Sequence, residues 1–101
     1  MMTLEQATDR CERAWAGYAS RHGSQRDEDS FYLLKLQEEL GELTRRFLEM
    51  TGREYPSKEG GALRRKFECD CASIVGNALI LAKRFKVNLE ERIAEKFPID
   101  C

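Results

Sequence analysis

Three glutamates stand close together in one stretch of this chain: Glu38, Glu39 and Glu42. On a helix, residues three and four positions apart face the same way, so Glu42 lies beside both of the others, and each like-charged pair costs roughly a few tenths of a kcal/mol. A bound divalent cation would offset that repulsion. Carboxylates without an accompanying histidine or thiolate suit a hard cation, and Mg²⁺ usually takes one or two of them together with water and a substrate phosphate. The cluster therefore indicates a magnesium site and a phosphate-bearing substrate.

The same three carboxylates have a simpler interpretation. Lys35, Arg45 and Arg46 stand at helical spacing from them, and charged helix faces of this kind are common on the surface of soluble proteins. Spacing alone favours such a solvated face over a metal site. The choice between the two depends on which other residues the fold brings to this face.

Hydrophobic residues that recur at steps of three and four predict four helices and no strands. Capping-box patterns begin the first helix, at Thr3 and Gln6, and the fourth, at Asn88 and Glu91. The predicted helices cover about residues 3–21, 30–51, 62–85 and 89–97. We expect an all-α bundle of three long helices and one short C-terminal helix, and a single domain over residues 1–101.

The second and third helices each carry an apolar stripe with polar residues along one shoulder. The stripe of the second helix consists of Leu33, Leu36, Leu40, Leu43 and Phe47, and that of the third of Leu63, Phe67, Cys71, Ile74, Ala78, Leu81 and Phe85. At 100° per residue, Glu39 and Glu42 lie on one shoulder of the first stripe, and Asp70, Ser73 and Asn77 lie on the same shoulder of the second. Antiparallel packing of the two helices could turn both shoulders towards one cleft.

The segment from Lys35 to Leu43, KLQEELGEL, resembles the EExxE metal motif of the MazG-like, all-α nucleoside triphosphate pyrophosphohydrolases. The segment from Leu79 to Glu91 is similar to the end of that family's third helix and the turn into its fourth. The resemblance implies a MazG-like bundle completed by self-association, with a homodimer expected. It also implies Mg²⁺-dependent cleavage of a nucleoside triphosphate to a monophosphate and pyrophosphate, with Mn²⁺ as a possible substitute for Mg²⁺.

The resemblance also assigns roles to individual residues. It makes Glu39 and Glu42 the first pair of metal ligands, and Glu38 an additional acid or the base for the attacking water. In the family's second motif, ExxD, the Glu position is held by Asp70 and the Asp position by Ser73. A neutral hydroxyl is a weaker ligand for a hard cation than a carboxylate.

Asn77, on the same side of the third helix as Asp70, is a substitute ligand for the missing carboxylate. The departure at Ser73 keeps a second function open. In that alternative the chain is a catalytically weakened or inactive interaction or regulatory protein that retains the family's fold.

Phosphate groups need positive partners besides the metal. Five basic residues lie in the loop after the second helix and at the start of the third, where a helix N-terminus also favours anions. They are Arg53, Lys58, Arg64, Arg65 and Lys66. Each of them is also compatible with an ordinary solvated basic segment.

The overall composition excludes several other classes of function. Seventeen basic and eighteen acidic residues give a formal net charge of −1, so no global field favours a nucleic-acid polymer or an anionic membrane. Four cysteines without an apolar N-terminal leader indicate reduced thiols and a cytoplasmic location. The apolar stretches are shorter than the ~20 residues that span a bilayer. The expected partners are a nucleotide and a second copy of the chain.

Overall fold

The computed structural model describes residues 1–22, 29–52 and 61–99, and for residues 18–22 it describes the backbone alone. Within these ranges the regular structure is helical throughout, which confirms the all-α prediction. The helices are α1 (Leu4–His22), α2 (Asp29–Met50), α3 (Gly61–Arg84) and α4 (Leu89–Lys96). The predicted order of three long helices and one short helix is also confirmed.

Local hydrogen bonds explain why the helices begin where the sequence places them. At the start of α1, the backbone N–H of Thr3 donates to Gln6 Oε1 at 2.9 Å, and that of Gln6 donates to Thr3 Oγ1 at 3.1 Å. At the start of α4, the backbone N–H of Glu91 donates to Asn88 Oδ1 at 3.1 Å. These three hydrogen bonds satisfy backbone N–H groups at helix starts, where the helix itself supplies no partner.

The end of α3 has the hydrogen bonds of a Schellman motif. The N–H of Val87 donates to the carbonyl of Ala82 at 2.9 Å, and the N–H of Lys86 donates to that of Lys83 at 3.0 Å. Lys86 holds the left-handed position of the motif at φ 56°, where glycine is the usual residue. This turn leads directly into α4.

Helix α3 is the centre of the bundle, and both α1 and α2 pack against it. Contacts between α2 and α3 run in opposite directions along the two helices, which makes the pair antiparallel. They join Glu39 to Asn77, Arg46 to Asp70 and Asp29 to Arg84. On the other side of α3, Lys83 contacts Glu12 of α1 at 2.7 Å.

The buried core is small and concentrated on α3. Leu63, Leu79 and Ile80 of this helix are buried, together with Tyr32 of α2. Asn77 is buried among them with only 1% of its surface exposed. A polar side chain in the centre of the packed face requires hydrogen-bond partners, and those partners form the candidate site.

The predicted apolar stripe of α2 is only partly a core face, which corrects the sequence analysis. Leu33 is 49% exposed, Leu40 56% and Phe47 41%, whereas the neighbouring Tyr32 is buried. Helix α2 turns its polar shoulder, which includes Glu39, towards α3. The stripe therefore lies along the edge of the interface and faces solvent on one side.

Helices α3 and α4 also leave apolar side chains exposed. Val75 of α3 is exposed, and so is Phe85, which directly follows this helix and which the pattern placed in the core. Helix α4 has no buried residue, and its Ile93 and the capping residue Phe97 are exposed. None of the helices in the described ranges combines the length and apolarity needed to cross a bilayer.

Candidate metal and phosphate site

The polar shoulders of α2 and α3 meet at Glu39 and Asn77. The Asn77 Nδ2 group donates to Glu39 Oε2 at 3.2 Å. These residues are 38 positions apart in the chain, and antiparallel packing brings them together. The predicted alignment of the two shoulders is thus observed at this pair.

The position of Glu39 changes its acidity. Burial raises the pKa of its carboxyl above the ordinary value, and the neighbouring charges of Glu42 and Glu38 act in the same direction. The hydrogen bond from Asn77 and the charge of Lys35 act in the opposite direction but do not cancel the effect of burial. Glu39 is therefore a carboxylate whose negative charge is poorly solvated.

The amide of Asn77 is held in one orientation by two acceptors. Its Nδ2 group donates to the backbone carbonyl of Ser73 at 2.9 Å and to Glu39. Since both neighbours accept, the nitrogen must face them and the oxygen must point elsewhere. Within the described part of the chain, Asn77 Oδ1 is buried and has no hydrogen-bond partner. A buried oxygen in this state is a group that a cation or a donor would stabilise.

Asp70 lies two turns from Asn77 and has a different partner. Its Oδ2 atom is 3.8 Å from Arg46 Nε, a separation that is too long for a hydrogen bond but short enough for electrostatic attraction. Seven residues along a helix correspond to about 10 Å. Asp70 and Asn77 therefore contact α2 at separate places, and Arg46 already compensates the charge of Asp70.

The other residues of the predicted site are exposed. Glu38 lies 3.6 Å from Lys35 Nζ and its side chain is 58% exposed, and Glu42 is exposed on the next turn. Ser73 is exposed as well, and its backbone carbonyl, not its hydroxyl, contacts Asn77. Only Glu39 of the three clustered glutamates lies in the interface between α2 and α3.

The donor set fits a hard cation in part. Glu39 supplies a carboxylate, a ligand type that Mg²⁺ accepts when water and substrate complete its shell, and the Nδ2 group of Asn77 holds this carboxylate in place. The Asn77 oxygen points away from Glu39 and would have to turn to join the same cation. Among the described side chains, no three His, Cys, Asp or Glu residues gather at metal-binding distance. Asp70 would have to leave Arg46 to join Glu39 and Glu42, so that predicted ligand set stays a prediction.

The predicted phosphate-binding residues are far from Glu39 or outside the described ranges. Arg53 and Lys58 fall outside those ranges. Arg64 pairs with Glu68 at 3.6 Å and lies over the ring of Phe67. Arg64, Arg65 and Lys66 occupy the opposite end of α3, about 17–20 Å along the helix axis from Asn77 at 1.5 Å per residue.

A different cation stands beside the carboxylates. Lys35 Nζ is 5.8 Å from the centre of the Trp15 ring and 5.9 Å from that of Phe31. The two rings meet edge to face at 5.3 Å. Sequence reasoning assigned Lys35 only to charge relief on a solvated face. The signal that would have identified its position is the spacing of three and four residues to Glu38 and Glu39 combined with an aromatic at position 31.

Tyr32, the neighbour of Phe31 on α2, is buried, and Arg84 lies over its ring at 5.5 Å. It therefore belongs to the core.

Comparisons with known proteins identify no relative of this chain: no family model, curated protein or solved structure matches it.

Proposed function

We propose that the chain is a Mg²⁺-dependent nucleotide pyrophosphohydrolase that cleaves a nucleoside triphosphate to a monophosphate and pyrophosphate. The observation that carries the proposal is the pair formed by Glu39 and Asn77. A carboxylate with a raised pKa contacts a buried amide whose oxygen has no partner within the described residues. A hard cation would stabilise this poorly solvated carboxylate, which the amide of Asn77 holds in place.

The chain's own residues would divide the work as follows. Glu39 would hold the cation, with Glu42 one turn further along α2 as an additional carboxylate, and the Nδ2 group of Asn77 would fix the position of the Glu39 carboxylate. A bound Mg²⁺ supplies charge neutralisation at the phosphate oxygens. Glu38, which is exposed on the same side of α2 as Glu42, would orient a water molecule and accept its proton as the water oxygen bonds to the α-phosphorus. The bond from the α-phosphorus to the bridging oxygen would break, and pyrophosphate would leave with the electron pair of that bond.

The decisive experiment measures pyrophosphate release from a panel of nucleoside triphosphates in the presence of Mg²⁺. We expect Glu39→Gln to lower kcat/KM at least about 100-fold and Glu38→Gln to lower kcat by about 100-fold, the usual range for loss of a catalytic acid or base. Absence of release from every nucleotide, or undiminished release by Glu39→Gln, would refute the proposal.

Glu68→Gln is the matched control for this experiment. Glu68 has the same side-chain exposure as Glu38, 58%, and also pairs with a cation at 3.6 Å. It lies on α3 at the far end of the helix pair. We expect its activity to equal that of the unmodified protein, so a general effect of losing a surface charge would be recognised.

A second function is favoured by the contact between Asp70 and Arg46. If Arg46 keeps Asp70 from a cation, the second motif has no carboxylate left to bind metal, and the chain is an interaction or regulatory protein with the same fold. Calorimetric titration with Mg²⁺ and a nucleotide separates the two functions, since tight binding contradicts an inactive scaffold. A large gain in hydrolysis on Ser73→Asp would indicate a weakened enzyme.

Self-association belongs to the same proposal. The exposed stripe of α2, formed by Leu33, Leu40 and Phe47, recurs every seven residues and has the spacing of a helix–helix contact. A second copy of the chain is the partner we propose for it. The free thiols of Cys11, Cys69 and Cys71 accord with a cytoplasmic location.

A further inference from the structure

Lys35 occupies an unusual place for a surface lysine. Its ammonium group lies within 6 Å of two aromatic ring centres, those of Trp15 on α1 and Phe31 on α2. Its side chain is 25% exposed, so contacts restrict it while water still reaches it. The rings limit the positions of the ammonium group and lower the entropy lost when it binds a ligand.

The charges around Lys35 face the carboxylates of the candidate site. Glu38 Oε1 lies 3.6 Å from Lys35 Nζ, which leaves room for a closer acceptor. Glu39 is one turn away, and the charge of Lys35 counts among the factors that lower its pKa. A lysine ammonium has three donors and no acceptor. Here these donors adjoin the side of α2 that carries Glu38, Glu39 and Glu42.

We propose that Lys35 binds the phosphate oxygens of the substrate at this site, an inference that rests on the proposed function. The triphosphate would lie along α2, with its charge shared between the cation at Glu39 and the ammonium group of Lys35. Lysine is a common phosphate ligand because its ammonium is a compact positive charge. The aromatic pair keeps that charge beside the carboxylates before the substrate arrives.

The basic residues at the start of α3 are less suited than Lys35 to bind the phosphate oxygens beside Glu39. Arg64 is directed to Glu68 at 3.6 Å and lies about 20 Å along the helix axis from Asn77. Lys35 is one turn from Glu39. The ammonium group of Lys35 is thus the positively charged side chain that lies close to the candidate metal site.

The test replaces Lys35 by methionine and by arginine. Methionine keeps an unbranched apolar chain that packs on the rings but removes the charge, and arginine keeps the charge. Arg45→Met is the matched control, since Arg45 lies on the same helix but outside the site. Its Nε atom pairs with Glu49 Oε1 at 3.0 Å. Two measurements are made on each variant: nucleotide hydrolysis with Mg²⁺, and calorimetric binding of inorganic tripolyphosphate with Mg²⁺.

We expect Lys35→Met to raise KM and to weaken tripolyphosphate binding by about tenfold or more, the usual effect of losing a hydrogen bond to a charged group, with kcat changed much less. Lys35→Arg should retain most of the binding, and Arg45→Met should behave as the unmodified protein. A merely structural lysine would lower the melting temperature without changing KM.

The two proposals fail in different ways. Hydrolysis by the unmodified protein with unchanged KM and tripolyphosphate binding in Lys35→Met overturns the role of Lys35 and leaves the proposed function standing. Binding of tripolyphosphate that depends on Lys35, without hydrolysis of any nucleotide, overturns the proposed function and supports the role of Lys35. No binding of tripolyphosphate to the unmodified protein overturns the inference about Lys35.

Discussion

At the scale of single residues, Glu39 makes stability depend on pH. Burial raises its pKa in the folded chain above the ordinary value near 4.5. As pH rises from that value, the unfolded chain releases this proton before the folded chain does, so the folded chain binds more protons and the free energy of unfolding falls. This loss of unfolding free energy is complete once the pH exceeds the raised pKa of Glu39, and it disappears when the pH is below the ordinary pKa.

We therefore predict that Glu39→Gln, in metal-free buffer, melts at a higher temperature than the unmodified protein at pH 7. Gln removes the charge and keeps an oxygen that can accept from Asn77. The difference should shrink towards zero as the pH is lowered below 4.5, the ordinary value. Melting curves followed by circular dichroism across this range provide the measurement.

Glu68→Gln is the control for this prediction, since Glu68 is exposed on α3 at the far end of the helix pair. Its melting temperature should follow that of the unmodified protein closely at each pH. A lower melting temperature of Glu39→Gln at pH 7 would show that the hydrogen bond from Asn77 stabilises the charged form more than burial destabilises it.

At the scale of helices, α1 and α3 lie close together at Gly76. A Cβ atom added there would lie 2.7 Å from Cys11 Sγ and 3.6 Å from Cys11 Cβ. The first distance is a clash and the second is an ordinary contact. Glycine in the middle of a helix lowers stability by roughly 0.5–1 kcal/mol relative to alanine. At Gly76 the absence of a side chain allows the two helices to pack closely.

We predict that Gly76→Ala lowers the free energy of unfolding by up to about 2 kcal/mol, because moving the overpacked sulfur costs about 1–3 kcal/mol and alanine in the helix returns about 0.5–1 kcal/mol. Cys11→Ala with Gly76→Ala should recover this loss, since only the ordinary contact remains. Gly41→Ala is the control: no atom lies within 4 Å of the added Cβ, and we expect a gain of about 0.5–1 kcal/mol. Urea denaturation measures all three, and a stabilising Gly76→Ala would contradict the packing described.

The helix ends could be predicted from the sequence, whereas the buried faces could be predicted only in part. The capping boxes at Thr3 and Asn88 depend on residues three positions away, so local pattern is sufficient for them. The face that α2 buries depends on the partner helix. Adjacent helical residues differ by 100°, and a modest rotation of α2 buries Tyr32 and leaves Leu33 half exposed.

The candidate site, too, could be predicted from the sequence only in part. Helical spacing placed Glu39 and Asn77 on corresponding shoulders of α2 and α3, whereas their meeting depends on how the two helices pack. The contact between Arg46 and Asp70 was not predicted, since Arg46 had been assigned to a solvated face. Lys35 was missed as a ligand because its position depends on Trp15, which comes from another helix. Contacts between distant segments require the packing itself.

At the scale of the whole molecule, the single chain is more open than its size requires. Its accessible surface is 7881 Å², about 2,000 Å² more than the roughly 5,900 Å² typical of a compact monomer of this mass. Its radius of gyration is 16.0 Å, whereas a compact domain of this length has about 13 Å. The excess surface is comparable to what one subunit buries in a large, stable homodimer.

We predict that the chain is a dimer in solution and that the exposed stripe of α2 forms its interface. Glutamates at Leu33 and Leu40 would place charges in the buried contact, so the variant Leu33→Glu with Leu40→Glu should be monomeric and melt at a lower temperature. Light scattering coupled to gel filtration measures the mass. Leu34→Glu is the control, because Leu34 is also exposed but lies about 120° around the helix from the centre of the exposed stripe. It should stay dimeric. A monomeric unmodified protein at its highest soluble concentration, or a dimer that survives both glutamates, would contradict this interface.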